Sequence, residues 1–332
     1  MMTNQTHPPE ALSLDLIRAA RERLRGRLHR TPLVASESVS RLLGAPAFLK
    51  LECLQKTGSF KPRGAFNKLL SLTDEERARG VVGVSGGNHA QGLAYAARAL
   101  GVHATICMPR STPNNYLDAT RGYGAETVLC EHITAAFAEA RRLKESGLTE
   151  AHPFDDPLIA AGQGTVGLEI LEDLPDVSRV YVSIGGGALI AGVATALRRT
   201  RPDIRVVGVQ THGADAMAQS LAAGRLVELP GITSIARTLG APKVCDFTLR
   251  HVRELVEEVV VVEDAEAFAM LEFLLERTKQ LTEPAAACCL AAAYRHRATF
   301  RPDEKIVILL CGGNASLADL AVWRSRFPAT TI

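Results

Sequence analysis

Aromatic residues are scarce in this 332-residue chain, with one Trp, five Tyr and ten Phe. Few rings are therefore available as stacking platforms for bases. No charge sign dominates either. The net charge is +2, with 22% charged residues, and Lys and Arg are dispersed. That balance leaves no electrostatic footprint for nucleic acid. Long apolar runs are missing, and the longest reach strand length, short of a membrane span. The first dozen residues are polar, contain Pro8-Pro9 and read as a frayed tail through Leu12, without the apolar stretch of a signal peptide. The seven cysteines, at 53, 107, 130, 245, 288, 289 and 311, include no Cys-x-x-Cys pair. Their odd number and scatter argue against a disulfide framework and a structural zinc site, and fit a reduced cytosolic setting.

What is present is apolar content, 47% of residues, enough for a large core and for two domains. Ser13 to Arg27 has the helical period. Ala47 to Glu52 reads as a strand running into Thr57-Gly58-Ser59-Phe60-Lys61-Pro62-Arg63-Gly64-Ala65. From Gly80 the chain alternates strand, small-residue turn and helix. The expected strands are Val81–Ser85, Ala104–Met108, Glu126–Leu129, Arg179–Ile184, Ile204–Gln210, Val256–Val262 and Ile306–Leu310. The expected helices are Gln91–Leu100, Asn114–Gly122, Thr134–Ser146, Gly162–Leu174, Ala188–Thr200 and a helix capped by Asp264 and running to about Lys279. A break falls at His152-Pro153-Phe154-Asp155-Asp156-Pro157. The pattern predicts an α/β protein with two open twisted sheets and flanking helices.

Four polar segments stand at strand ends, where open α/β sheets bind ligands. Lys61 opens a helix, with Ser59 placed to cap it and Pro62 in its first turn. The positive field of a helix N-terminus lowers the cost of deprotonating Lys61, as an amine that forms a Schiff base requires. Ser183-Ile184-Gly185-Gly186-Gly187-Ala188-Leu189 follows a buried strand and precedes a helix, so consecutive amides can turn toward a phosphate. It is neither a Walker loop nor a dinucleotide fingerprint. Ser85-Gly86-Gly87-Asn88-His89 has the same placement and suits a carboxylate or a ring oxygen. Cys311-Gly312-Gly313-Asn314 follows the last strand.

Taken in order, these motifs resemble those of the serine/threonine dehydratase family of pyridoxal-phosphate enzymes, fold type II. The likeness runs from about Leu12 to Leu320. It implies pyridoxal 5'-phosphate on Lys61, with Phe60 beside the ring, Asn88 on the ring hydroxyl and Cys311 facing the pyridine nitrogen. The amides of Gly185, Gly186, Gly187, Ala188 and Leu189 would hold the phosphate. Ser85, Gly86, Gly87, Asn88 and His89 would receive the substrate carboxylate. It also implies a large cofactor domain of residues 1–55 plus 152–332 and a small substrate-carboxylate domain of residues 56–151. A homodimer or higher homo-oligomer, in the cytoplasm that the cysteines suggest, follows from the same resemblance, and because the chain ends soon after Cys311 the family's allosteric C-terminal domain is not expected.

The implied reaction deaminates a small β-hydroxy amino acid, L-threonine to 2-oxobutanoate and ammonia and L-serine to pyruvate and ammonia. Four departures bear on it. Gly86 stands where related serine racemases carry a serine, which removes a second proton donor. Ala188 replaces a fourth glycine and is tolerated if its backbone is helical. Gln210 and Ala216 replace acids of metal-activated relatives, leaving Asp215 as a weak metal candidate. Arg237 lies in the short Ser234–Gly240 segment and is a possible specificity residue for an acidic substrate. The alternatives are therefore an ammonia-lyase for 3-hydroxyaspartate, phenylserine or a hydroxyectoine breakdown product, or a serine racemase.

Overall fold

The computed structural model describes residues 11–327. Most of the polar tail lies outside that range, but Leu12 is buried against Ile17 and Ala20 rather than frayed. The first elements are α1 (Leu14–Leu24), β1 (Leu33–Ala35), α2 (Glu37–Leu43) and β2 (Ala47–Lys50). Next come α3 (Lys61–Leu70), α4 (Asp74–Arg79), β3 (Val81–Val84), α5 (Asn88–Leu100) and β4 (Ala104–Pro109). Then follow α6 (Asn114–Gly122), β5 (Glu126–Cys130), α7 (Ile133–Glu145) and β6 (Thr149–Glu150). The chain continues through α8 (Pro157–Asp173), β7 (Arg179–Ser183), α9 (Ala188–Thr200), β8 (Arg205–Thr211) and α10 (Ala216–Ala223). It ends with α11 (Asp246–Leu255), β9 (Glu258–Val262), α12 (Asp264–Phe273), α13 (Pro284–His296), β10 (Ile306–Leu309) and α14 (Leu317–Arg326).

Two sheets result. The larger has the order β1-β2-β10-β7-β8-β9 and is parallel except for the β1–β2 pair. The smaller has the order β5-β4-β3-β6 and is parallel throughout. Every residue of β3, β7 and β10 is buried, as expected of parallel strands covered by helices on both faces. Long α8 packs on α9 through small residues. A Cβ on Gly192 would lie 2.2 Å from the Ala160 carbonyl oxygen, so only glycine permits this approach. Among the described residues, no helix is long and apolar enough to cross a membrane.

Several boundaries differ from expectation. Helix α8 begins at Pro157 rather than Gly162, because Asp156 Oδ1 accepts hydrogen bonds from Leu158 N and Ile159 N and Pro157 occupies the first turn. Ser59 does not cap α3. Phe60 is the capping residue, and the Ser59 hydroxyl is buried without a partner among the described residues. Asp264 lies inside α12, and its carboxylate instead accepts from Ser234 Oγ and Ile235 N. That helix ends at Phe273 in a wider π turn, Leu274–Thr278. Helix α13, not anticipated at all, is buried from Pro284 to Ala293.

Candidate active site

The C-terminal ends of β3, β7 and β10 face one cavity, whose lining includes Lys61, Asn88, Ser183 and Cys311. Lys61 reaches it because its segment is zipped along the end of β10. Phe60 N donates to the Cys311 carbonyl at 3.1 Å and Gly313 N to the Gly58 carbonyl at 2.9 Å. Between them Ser59 and Gly312 form an antiparallel bridge. The approach to this zipper uses left-handed backbone at Thr57 and Gly58, with φ of 63° and 69°. On the other side α5 packs close, and a Cβ on Gly92 would lie 2.9 Å from Lys61 Cβ.

Lys61 Nζ lies 5.1 Å from the Phe60 ring centroid and donates to the Pro153 carbonyl at 3.4 Å. Burial pushes its pKa down from 10.5 to about 8. Desolvation, rather than the helix field invoked from the sequence, is the larger cause. Two residues on, the Arg63 guanidinium is buried between Glu52 at 2.7 Å and Glu169 at 2.7 Å. Lys50 completes this ion cluster at 2.6 Å from Glu169. The cluster ties α3 to β2 and α8, and so fixes the direction in which Lys61 leaves the helix.

The amides of Gly185, Gly186, Gly187, Ala188 and Leu189 find no acceptor among the described residues. They ring the cavity at the N-terminus of α9. A Cβ on Gly186 would meet the Phe154 ring at 2.1 Å, and Gly187 has φ of 103°. Ala188 opens the helix, outside the left-handed region, so its methyl is tolerated. Orphan amides at a helix N-terminus, beside an amine that is readily neutral, fit an anionic phosphate bearing an aldehyde.

Cys311 lines the same cavity. Burial holds its thiol well above the ordinary range, so it stays protonated, and Ser183 Oγ donates to Sγ at 3.2 Å. Asn88 lines the wall through a network that the sequence did not disclose. Its Nδ2 donates to Glu283 Oε1 at 2.8 Å, and Thr238 Oγ1 donates to the same oxygen at 2.9 Å. Glu283 Oε2 has no partner among the described residues, and burial raises the carboxyl to about 6. Glu283 and Thr238 were not expected in the cavity, whereas Ser183, at the head of the expected phosphate loop, lines it too. An acid followed by proline, Glu283-Pro284, is a helix-start signal that could have drawn attention to Glu283.

Other expected residues lie elsewhere. Ser85 Oγ accepts from Gly87 N at 3.0 Å and shapes the loop before α5. Gly86 faces Thr112. His89 is buried, and its Nε2 donates to the Ala151 carbonyl at 2.9 Å. Burial pushes that imidazole down to about 3, so it is neutral. The Arg237 side chain is 57% exposed and pairs with Asp319 at 3.4 Å instead of entering the cavity. Asp215 Oδ2 accepts from Gln219 Nε2, while Gln210 spends its amide on Ile184, Ala214 and Ala218. Among the described residues no three His, Cys, Asp or Glu side chains gather as a metal site.

Comparison with known proteins agrees with this geometry. The L-threonine ammonia-lyase of Geobacter sulfurreducens is 46% identical over 313 residues, which is 94% of this chain and 78% of that protein. The crystal structure of a threonine deaminase from T.th. is 40% identical with a TM-score of 0.87, covering 92% of this chain and 99% of that one. The structure of maize serine racemase is 37% identical with a TM-score of 0.89, covering 95% and 97%. A model of the family described as pyridoxal-phosphate dependent enzyme matches residues 24–312. Such a match spans most of the chain and includes the lysine, the orphan amides and the thiol, and the chain belongs to the family of pyridoxal-phosphate-dependent enzymes.

Proposed function

We propose that this protein is a lyase that deaminates L-threonine to 2-oxobutanoate and ammonia, and L-serine to pyruvate and ammonia. The observation that carries the reading is Lys61, an amine at about 8 in one cavity with five orphan amides. The relatives named threonine ammonia-lyase and threonine deaminase support the substrate. Lys61 would hold the cofactor, Phe60 would flank its ring, Asn88 would donate to the ring hydroxyl and Cys311 would face the ring nitrogen. Residues 185–189 would bind the phosphate, and residues 85–89 would receive the substrate carboxylate. The two sheets support reading residues 56–151 as a small domain and 1–55 plus 152–332 as the large one. A cytoplasmic homodimer rests on the resemblance and on the seven free thiols.

Pyridoxal phosphate, when bound, supplies a conjugated ring that stabilises negative charge at the substrate α-carbon. The protein's part is to place and move protons. Lys61 Nζ, whose burial favours the neutral amine, would take the α proton once the substrate is in place. The Cys311 thiol, a weak donor with no positive charge, would leave the ring nitrogen without a strong acid. Gly86 offers no side-chain proton to the opposite face of the substrate, which favours elimination over racemisation. A panel of L-threonine, L-serine, both 3-hydroxyaspartate diastereomers and phenylserine, scored by kcat/KM for 2-oxo acid release, tests the assignment. Threonine or serine should lead. Preference for hydroxyaspartate or phenylserine would replace the substrate, and abundant D-serine from L-serine would replace the reaction.

A further inference from the structure

The geometry points to Asn314 as a positioning residue that sets which end of the Asn88 amide faces the cofactor, an inference that rests on the reading of Asn88 given above. A carboxamide can present either its oxygen or its nitrogen, and only its partners decide which. The decision here starts at a backbone carbonyl. The oxygen of Thr57 can only accept, and Asn314 Nδ2 lies 2.8 Å from it. The Asn314 nitrogen must therefore be the end that points inward. The same Nδ2 lies 2.8 Å from Asn88 Oδ1 and donates its second proton there. Asn88 is thereby left with its nitrogen on the far side, where one proton goes to Glu283 Oε1 at 2.8 Å. The second Asn88 N–H has no acceptor among the described residues, and Asn88 lines the cavity.

The backbone is shaped for this relay. Thr57 adopts φ of 63°, one of only two positive values at non-glycine residues among those described. That strained angle is tolerated where surrounding structure over-determines it. Beside it, a Cβ on Gly58 would lie 2.6 Å from Asn314 Oδ1, so a side chain there would displace the amide. Tyr116 Oη, from α6 on the smaller sheet, donates to the Asn314 carbonyl at 2.5 Å and holds the residue from the other side.

The test uses Asn314→Asp in the full chain. A carboxylate cannot donate to Thr57 or to Asn88, so the Asn88 oxygen loses its donor and the carboxylate at 314 competes with Glu283 Oε1 for the Asn88 Nδ2 protons, which turns the amide away from its present setting. The dissociation constant for pyridoxal phosphate, measured by fluorescence titration of the cofactor-free protein, should rise about tenfold or more. The absorbance maximum of the loaded protein should also move. Asn314→Ala, which removes both donors without adding charge, should shift both readouts in the same direction by less, and it decides the matter if the Asp variant does not fold. A dissociation constant within twofold of wild type and an unmoved maximum in the Asn314 variants would overturn the inference. Asn88→Ala separates the two levels. If it also binds the cofactor as wild type does, the assignment of Asn88 to the ring fails. If it weakens binding while the Asn314 variants do not, only the relay fails.

Discussion

A Cβ placed on Gly86 would lie 2.7 Å from Thr112 Oγ1. The Thr112 hydroxyl is buried and has no partner among the described residues, so it occupies the space that a side chain at 86 would need. If the missing hydroxyl at Gly86 is what limits racemisation, restoring one should raise the racemase share. The contact adds a condition, since the flexible end of Thr112 must move first. We expect wild type to turn L-serine into pyruvate with little D-serine. Gly86→Ser alone should mainly lower turnover through crowding. Gly86→Ser with Thr112→Ala should raise the D-serine fraction above that of either single variant, measured by chiral chromatography. Equal D-serine fractions in all four proteins would refute the role given to Gly86.

Lys61 gives a pH prediction. Its amine falls from 10.5 to about 8 in the fold, so between these values the unfolded chain binds more protons than the folded one. Stability of the cofactor-free protein should therefore gain a favourable contribution as pH rises from 8 to 10.5, and Lys61→Met should remove that contribution. Loading with pyridoxal phosphate needs the neutral amine. The loading rate, followed by absorbance, should rise with pH and level off above about 8. A profile still climbing toward 10.5 would show an ordinary lysine.

The buried cluster of Arg63, Glu52, Glu169 and Lys50 should be costly to break from one side. Arg63→Ala strands the buried Glu52 carboxylate and leaves Glu169 to Lys50 alone, and denaturant titration should show a loss of about 3–5 kcal/mol. An effect below about 1 kcal/mol would mean that the cluster does not fix α3.

Arg237→Ala should change kcat/KM for L-threonine less than twofold, because an exposed ion pair with Asp319 contributes little. A tenfold loss would place Arg237 in contact with substrate.

Much of this architecture was legible because its signals are local. The strands from Val81 to Leu310 alternate with helices at short intervals, and the lysine and glycine segments are contiguous motifs. Helix α13 was not legible, since Pro284 to Ala293 are all buried and leave no polar stripe to mark a period. The onset of α8 was hidden because Pro157 reads equally well as a breaker or as a first-turn residue. Glu283 and Thr238 escaped notice for a different reason. Glu283 meets Asn88 across 195 positions of chain and Thr238 across 45, and no local pattern encodes either meeting. Arg237 drew attention as a charge in an unusual segment, yet its neighbour Thr238 is the residue that lines the cavity.

The most direct measurement of the central claim is reductive trapping. The protein loaded with pyridoxal phosphate is treated with borohydride, digested and mapped by mass spectrometry. The account predicts the cofactor's added mass on Lys61 alone, no trapped cofactor in Lys61→Ala, and loss of 2-oxobutanoate release by about a thousandfold or more in that variant. Trapping at another lysine, or full turnover of L-threonine without Lys61, would contradict it.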